Sequence, residues 1–291
     1  MRHQKTILAL LLAVLLVFAF AACSDDDGSS GTEITLMSWN VANFDGAPWD
    51  GFNKIANVVK NQQVDILILN EVQDNDNDET YFAQALTAAG WTMQYHSFSS
   101  RSDGYDSIGI FSRYPVTATT EILDPPGPRS IYKATVALPG EKTITIYGAH
   151  LKSGVTAPDL SARTNQAKQL ANYIRSNHTD LGSDLIAILG DMNTMGTTAG
   201  DPVEDFLPGS TLDMLCLKDD AVPGNDFTPV NQTWLSTTAT FSSGSLLDHI
   251  ILSPAARNRY VSGSVFIQAT TFGTNSGYSD HRSVRARLSL P

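Results

Sequence analysis

The sequence predicts an α/β fold in which two β-sheets pack face to face and helices cover their outer surfaces. Three observations lead there. Apolar runs of strand length outnumber stretches with helical spacing. The four runs between residues 107 and 151 are separated by turns bearing Gly or Pro rather than by a helix. No internal repeat and no second linker interrupts residues 33–291, so the layers belong to one domain.

The elements follow in order. Residues 33–44, "EITLMSWNVANF", read as a strand. Residues 52–61 set Phe52, Ile55, Ala56 and Val59 on one helical face, with Asp50 available to cap it. "DILILNEV", at 65–72, is short and almost wholly apolar, which suits a buried strand. Residues 82–90 place Phe82, Ala85, Leu86 and Ala89 at helical spacing and stop at Gly90. Strands are then expected at 107–113, 116–123, 132–138 and 142–151. The longest helix is expected over 159–177, with Ala167, Leu170, Ala171 and Ile174 facing inward. "DLIAILGDMN", "LLDHIILS" and "SVRARLSL" supply the last strands.

Residues 1–22 stand apart. Arg2 and Lys5 precede an unbroken apolar run from Ile7 to Ala22. That run is shorter than the roughly 20 residues a membrane span needs, and it reads as an export signal. Phe20-Ala21-Ala22-Cys23 resembles a bacterial lipobox, with Phe20 where Leu is usual. In that pattern Cys23 carries lipid and becomes the new N-terminus. Residues 23–32 are acidic and rich in Gly and Ser, as a flexible tether would be. The expected location is extracytoplasmic, lipid-anchored to a bacterial membrane at its periplasmic face or at the cell surface.

The formal charge is −11, and loss of Arg2 and Lys5 with the leader takes it to −13. A field of that sign does not hold nucleic acid, so a polyanionic substrate would need bound cations or local basic groups. Arg101, Arg129 and Lys152 are such groups, or else scattered solubilising charges. Beyond Cys23 there is one cysteine, Cys216, which cannot form an intramolecular disulfide. Its neighbours in "TLDMLCLKD" are apolar, and it reads as a buried small hydrophobe.

The buried strands share a peculiarity: polar residues stand where their apolar runs end. "LMSWN" ends in Asn40, "ILILNE" in Glu71, "TIYGAH" in His150 and "IAILGDMN" in Asp191 and Asn193, while Asp248 follows Leu246 and Leu247. Any one of these has a plain structural explanation as a cap, a turn or a core histidine. His96, His178 and His249 are given that explanation, with His249 on the sheet face opposite Asp248. Repeated burial of carboxylates is too costly to be accidental, and convergence on one site explains it. Oxygen ligands of this kind suit a hard cation such as Mg²⁺. The chemistry suggested is phosphate-ester hydrolysis by activated water, with an acid to orient the water and a histidine to face the phosphate. No P-loop, zinc cluster or covalent nucleophile is evident.

"SWNVANF", "ILNEVQD", "YGAHLKSG", "LGDMN", "LLDHIILS" and "YSDHRS" together resemble, in order and spacing, the endonuclease/exonuclease/phosphatase superfamily of deoxyribonuclease I-like proteins. The likeness covers about residues 34–290. It implies a four-layer α/β sandwich of two mostly antiparallel sheets flanked by helices. It implies Asn40 and Glu71 as metal ligands, with Asp280 near a possible second ion. It implies that Asp191 and Asn193 position the attacking water and the phosphate. It implies His281 as the histidine that faces the phosphate, paired with Asp248, and His150 as the second catalytic histidine. Asp106, seven residues before Arg113, would support His150 in place of the family's glutamate. Arg163 and Gln166, one turn apart, buttress the site or form a surface pair.

The resemblance implies a hydrolase dependent on Mg²⁺ or Mn²⁺, with Ca²⁺ possible. Between Asp248 and Asp280 no aromatic pair suggests a bilayer-entering hairpin, and "SSGSLLDH" stands where inositol-phosphatase relatives carry a distinct motif. The expected function is therefore a phosphodiesterase acting on nucleic acid as a nuclease. The alternatives are a phospholipid or small-phosphoester hydrolase and a non-catalytic surface module. The expected partners are the substrate and, through Cys23, a membrane; the chain is expected to act as a monomer.

Overall fold

A computed structural model of the chain describes residues 31–44, 49–73, 78–99, 106–122, 131–140, 142–194, 209–220, 222, 224–230, 239–242, 245–267 and 279–290. Residues 1–22, Cys23, Arg101 and Arg129 lie outside the described residues. Residues Glu33–Pro291 form a compact unit.

Among the described residues twelve strands make two six-stranded sheets. The first contains β1 (Glu33–Phe44), β2 (Ile66–Gln73), β3 (Tyr95–Phe98), β4 (Asp106–Ser112), β11 (Phe266–Ile267) and β12 (Val284–Ser289), in the order β11-β12-β1-β2-β4-β3. The second contains β5 (Val116–Ile122), β6 (Ile131–Leu138), β7 (Lys142–His150), β8 (Ile186–Asp191), β9 (Thr228–Pro229) and β10 (Asp248–Leu252), in the order β5-β6-β7-β8-β10-β9. Each sheet has one parallel pair, β1 with β2 and β7 with β8; the other pairings are antiparallel. Helix α1 (Trp49–Asn61) crosses between β1 and β2, and α3 (Ala157–Asn177) between β7 and β8. The other helices given by the described residues are α2 (Asp78–Ala88), α4 (Thr211–Leu215) and α5 (Pro254–Arg257).

Alternation along the strands sorts side chains into three apolar layers. Ile34, Leu36, Ile66 and Ile68 meet Ile144, Ile146, Leu189 and Ile250 between the sheets. Met37, Trp39, Leu67 and Leu69 face outward onto Phe52, Ile55 and Val59 of α1 and Phe82 and Leu86 of α2. Tyr147, Ala149, Ile186 and Ile188 pack against Ala167, Leu170, Ala171 and Ile174 of α3. Burying a Leu or Ile fully contributes on the order of 1.5–3 kcal/mol, so the stripes decide which face of each helix lies inward.

Some elements differ from the sequence reading. Helix α1 begins at Trp49, so Asp50 lies inside the first turn rather than in front of it as the cap. Helix α2 ends at Ala88, and Gly90 follows at φ 81°, which frees Trp91 N–H to reach Leu86 O. Strand β3 carried no clear strand signal because its residues are half-buried without apolar alternation. Strands β9 and β11 are two residues each, too short to show a period.

Candidate active site

The alternation that fills the space between the sheets also delivers polar residues to one end of it. Asn40 follows the parity of Ile34 and Leu36, His150 that of Ile144 and Ile146, and Asp191 that of Ala187 and Leu189. Asp248 opens β10 in step with Ile250 and Leu252, and Asp106 opens β4 in step with Ile108 and Ile110. In the second sheet His150 pairs in register with Asp191, and Asp191 with Asp248, so the three stand abreast.

Glu71 is out of step. With Ile66, Ile68 and Asn70 facing the other sheet, it should face the helices. A register shift between Leu69 and Val72 and a φ of 56° at Glu71 turn it toward the site. Ala42 and Asn193 beside the site also have positive φ, 55° and 49°. Left-handed backbone at residues other than glycine costs on the order of 1–3 kcal/mol each, and such strain gathers where a side chain must be aimed.

These residues make one connected cluster. Asn40 Nδ2 donates to Glu71 Oε1 and to Asp191 Oδ2, both at 3.0 Å, while Asn40 Oδ1 accepts the Ala42 N–H at 2.9 Å. The amino group of Asn40, not its oxygen, therefore faces the carboxylates. His150 Nε2 stands 3.4 Å from Glu71 Oε1 and 3.5 Å from Asp191 Oδ2. Asp191 Oδ1 accepts the N–H of Asn193, and Asn193 Nδ2 donates to Leu151 O. His281 Nδ1 lies 2.8 Å from Asp248 Oδ2, and its Nε2 lies 3.8 Å from Asp191 Oδ2. The indole N–H of Trp39 donates to His281 O and fixes that backbone. Asp280 lines the pocket beside His281. Asp106 is buried at the start of β4.

Burial disfavours the imidazolium of His281, but the charge and hydrogen bond of Asp248, with Asp191 and Asp280, outweigh it and lift its pKa to about 10. Asp191 is pushed up, first by burial and then by the charge of Asp248; His281, the Asn193 N–H and Asn40 oppose the shift. His249 is held neutral by burial, at about 3, and its Nε2 meets Thr194 Oγ1 at 2.8 Å, which makes it a core residue. His96 stacks on Phe111, and His178 is closed between Tyr147 and Asp184.

Ligand atoms of Glu71, His150 and Asp191 lie within 4.8 Å of one another, as do those of Asp191, Asp248 and His281. Two carboxylates held together at a buried edge fit a hard divalent cation, which would offset the burial that pushes Asp191 up. The pocket over them holds about 430 Å³ and has an apolar wall of Val155, Phe241 and Leu247. A larger cleft of about 770 Å³ lies near the amino ends of β7 and β8, beside the closed His178–Asp184 pair.

Arg163 and Gln166 hold the loop after His150. Arg163 Nη1 donates to Lys152 O and Gly154 O, and Gln166 Oε1 accepts the Lys152 N–H. Arg163 is fully buried, so the pair is a buttress and not a surface pair. Lys152 Nζ lies 3.0 Å from Asp159 Oδ1, a partly exposed ion pair that offsets some of its charge. One buried polar residue beneath the site, Asn70, carried no signal of its own in the sequence, because it reads as the last strand position before Glu71.

The fold is shared with solved structures. Truncated TDP2 from Caenorhabditis elegans superposes with a TM-score of 0.65 at 17% identity, covering 89% of this chain and 98% of that one. The 3′ phosphatase NExo from Neisseria, solved with a product DNA hairpin, gives 0.63 at 20% identity, covering 88% and 100%. An endonuclease/exonuclease/phosphatase from Bacteroides vulgatus gives 0.62 at 16%, covering 89% and 100%. No sequence among the curated proteins matches the chain. The model of the Endonuclease/Exonuclease/phosphatase family matches residues 37–281, the span from β1 to His281 that carries every residue of the cluster, and the chain belongs to that family.

Proposed function

We propose that the chain hydrolyses phosphodiester bonds with the help of a divalent cation, Mg²⁺ or Mn²⁺, and that its substrate is nucleic acid. The observation that carries the reading is the meeting of Glu71, His150, Asp191 and the His281–Asp248 pair in one pocket. The nucleic-acid part draws support from NExo, solved with a DNA hairpin and described elsewhere as a 3′-5′ exonuclease.

Glu71 would hold the cation, with Asp191 and His150 beside it. When bound, it would neutralise phosphate charge and stabilise the leaving oxygen. Asp191, gripped by Asn40 and the Asn193 N–H, is placed to orient a water and take its proton. Asp248 holds Nδ1 of His281, so Nε2 is the atom offered to the phosphate. Asp106 is the acid proposed to support His150. Asn40 as a direct ligand requires its amide to turn, and Asp280 is proposed for a second ion.

The test is the unit 33–291 incubated with supercoiled DNA, RNA, a 3′-phosphorylated oligonucleotide, sphingomyelin and bis-(p-nitrophenyl) phosphate, with and without Mg²⁺. Metal-dependent cleavage of DNA or RNA is expected. Turnover of the monoester or sphingomyelin alone would replace the nucleic-acid reading, and no turnover would leave a binding module. The lipid anchor at Cys23 is a separate proposal: Cys23→Ser is expected to release the chain from membranes, and a variant that stays membrane-bound removes the lipobox reading.

A further inference from the structure

Asn70 stands one residue before Glu71 and is fully buried between the sheets. Its side-chain amide bridges them. Nδ2 donates to Ala149 O at 3.1 Å, and Oδ1 accepts the Asp191 N–H at 3.1 Å. Ala149 immediately precedes His150 in β7, and Asp191 lies opposite His150 in β8. Asn70, next to Glu71 in the chain, thus ties the backbone of Asp191 to that of the residue before His150, and the ligand atoms of Glu71, His150 and Asp191 gather within 4.8 Å.

The position asks for a neutral group with a donor and an acceptor. A carboxylate has no donor, an ammonium no acceptor, and an apolar group neither. The strands beneath leave little slack. Gly190 takes φ 150°, and a Cβ there would stand 1.8 Å from Ala149 O.

We propose that Asn70 is the positioning residue of the cation site. It sets the distance between Glu71 on one sheet and His150 and Asp191 on the other. The proposal rests on the metal-dependent reading above. Groups that orient metal ligands shift affinity by about 10–100-fold when removed.

The test uses the full chain, purified in detergent, with Asn70→Ala, the near-isosteric Asn70→Leu and the control Ile144→Ala from the far end of the same core. Thermal unfolding reports folding, Mn²⁺ titration calorimetry reports the site, and kinetics separate kcat from KM. The folded Asn70 variants are expected to bind Mn²⁺ roughly tenfold or more weakly and to lose kcat with little change in KM. Ile144→Ala is expected to lower Tm and leave the Mn²⁺ constant unchanged. An unchanged Mn²⁺ constant in the folded Asn70 variants overturns the proposal. Failure of both to fold also overturns it, because Asn70 then serves the fold alone. A wild-type chain that binds no Mn²⁺ is a distinct failure and removes the metal-dependent reading itself.

Discussion

His281 Nδ1, on the segment before β12, lies 2.8 Å from Oδ2 of Asp248, a fully buried carboxylate that opens β10 of the second sheet. The bond fixes which ring nitrogen faces the pocket, so the two residues form one functional group. Asp248→Asn and His281→Ala are each expected to lower kcat by about 10²–10⁴-fold. Their double mutant is expected to be scarcely worse than either, since residues acting as a unit are non-additive. A double-mutant cycle in kcat checks this; losses that multiply would separate the pair.

The same pair should mark the pH dependence of stability. Folding raises the pKa of His281 from the ordinary 6.5 to about 10. A raised pKa means that the folded state holds the proton more tightly. Its contribution is complete below pH 6.5 and is lost as pH rises through about 10. The stability gap between wild type and His281→Asn is expected to narrow across that window. Urea titrations at pH 6 and pH 10 measure it, and a constant gap would contradict it.

Glu71→Gln keeps the shape of the side chain and removes the charge a cation needs. With the bulge and the Asn40 contact able to persist, the fold should remain while kcat falls by about 100-fold or more. Excess EDTA should abolish wild-type activity, and added Mn²⁺ should restore it. Full activity in EDTA would falsify the metal mechanism.

Arg163 is buried with its guanidinium bonded to two loop carbonyls, Lys152 O at 2.7 Å and Gly154 O at 3.1 Å. Arg163→Met retains bulk but no donor. It is expected to destabilise the chain by about 2–4 kcal/mol, read from the denaturant midpoint. A shift below about 0.5 kcal/mol would show the loop held by other contacts.

Cys216 is fully buried, and burial pushes its thiol up to about 12. A thiol reagent at pH 8 is expected to react slowly with the native chain and fast after unfolding. Equal rates would place the thiol at the surface.

The sequence makes some of this legible and hides the rest for physical reasons. Asn40, His150, Asp191 and Asp248 can be found because they continue the parity of apolar neighbours on strands with clear periods. Glu71 can be read only as the end of an apolar run, because its parity is wrong and its aim depends on a bulge that no residue type announces. Asn70 is invisible for the opposite reason: its parity is ordinary, and its importance comes from two backbone groups on distant strands. Lys152 looks like a free charge until α3 brings Asp159 beside it. Strand β3 leaves no period because neither of its faces is fully buried.

Each sheet has its one parallel pair at the centre, and both pairs run toward the same end of the sandwich. The clustered polar residues therefore collect there, at the carboxyl ends of β1, β2, β7 and β8. The turns at the opposite end, at 62–65, 113–115, 139–140 and 178–185, carry none of the clustered residues. At Gly140 even an added Cβ would meet nothing within 4 Å. The 139–140 turn is where the chain can be lengthened, reopened as new termini or fused to another domain while the opposite end keeps its shape.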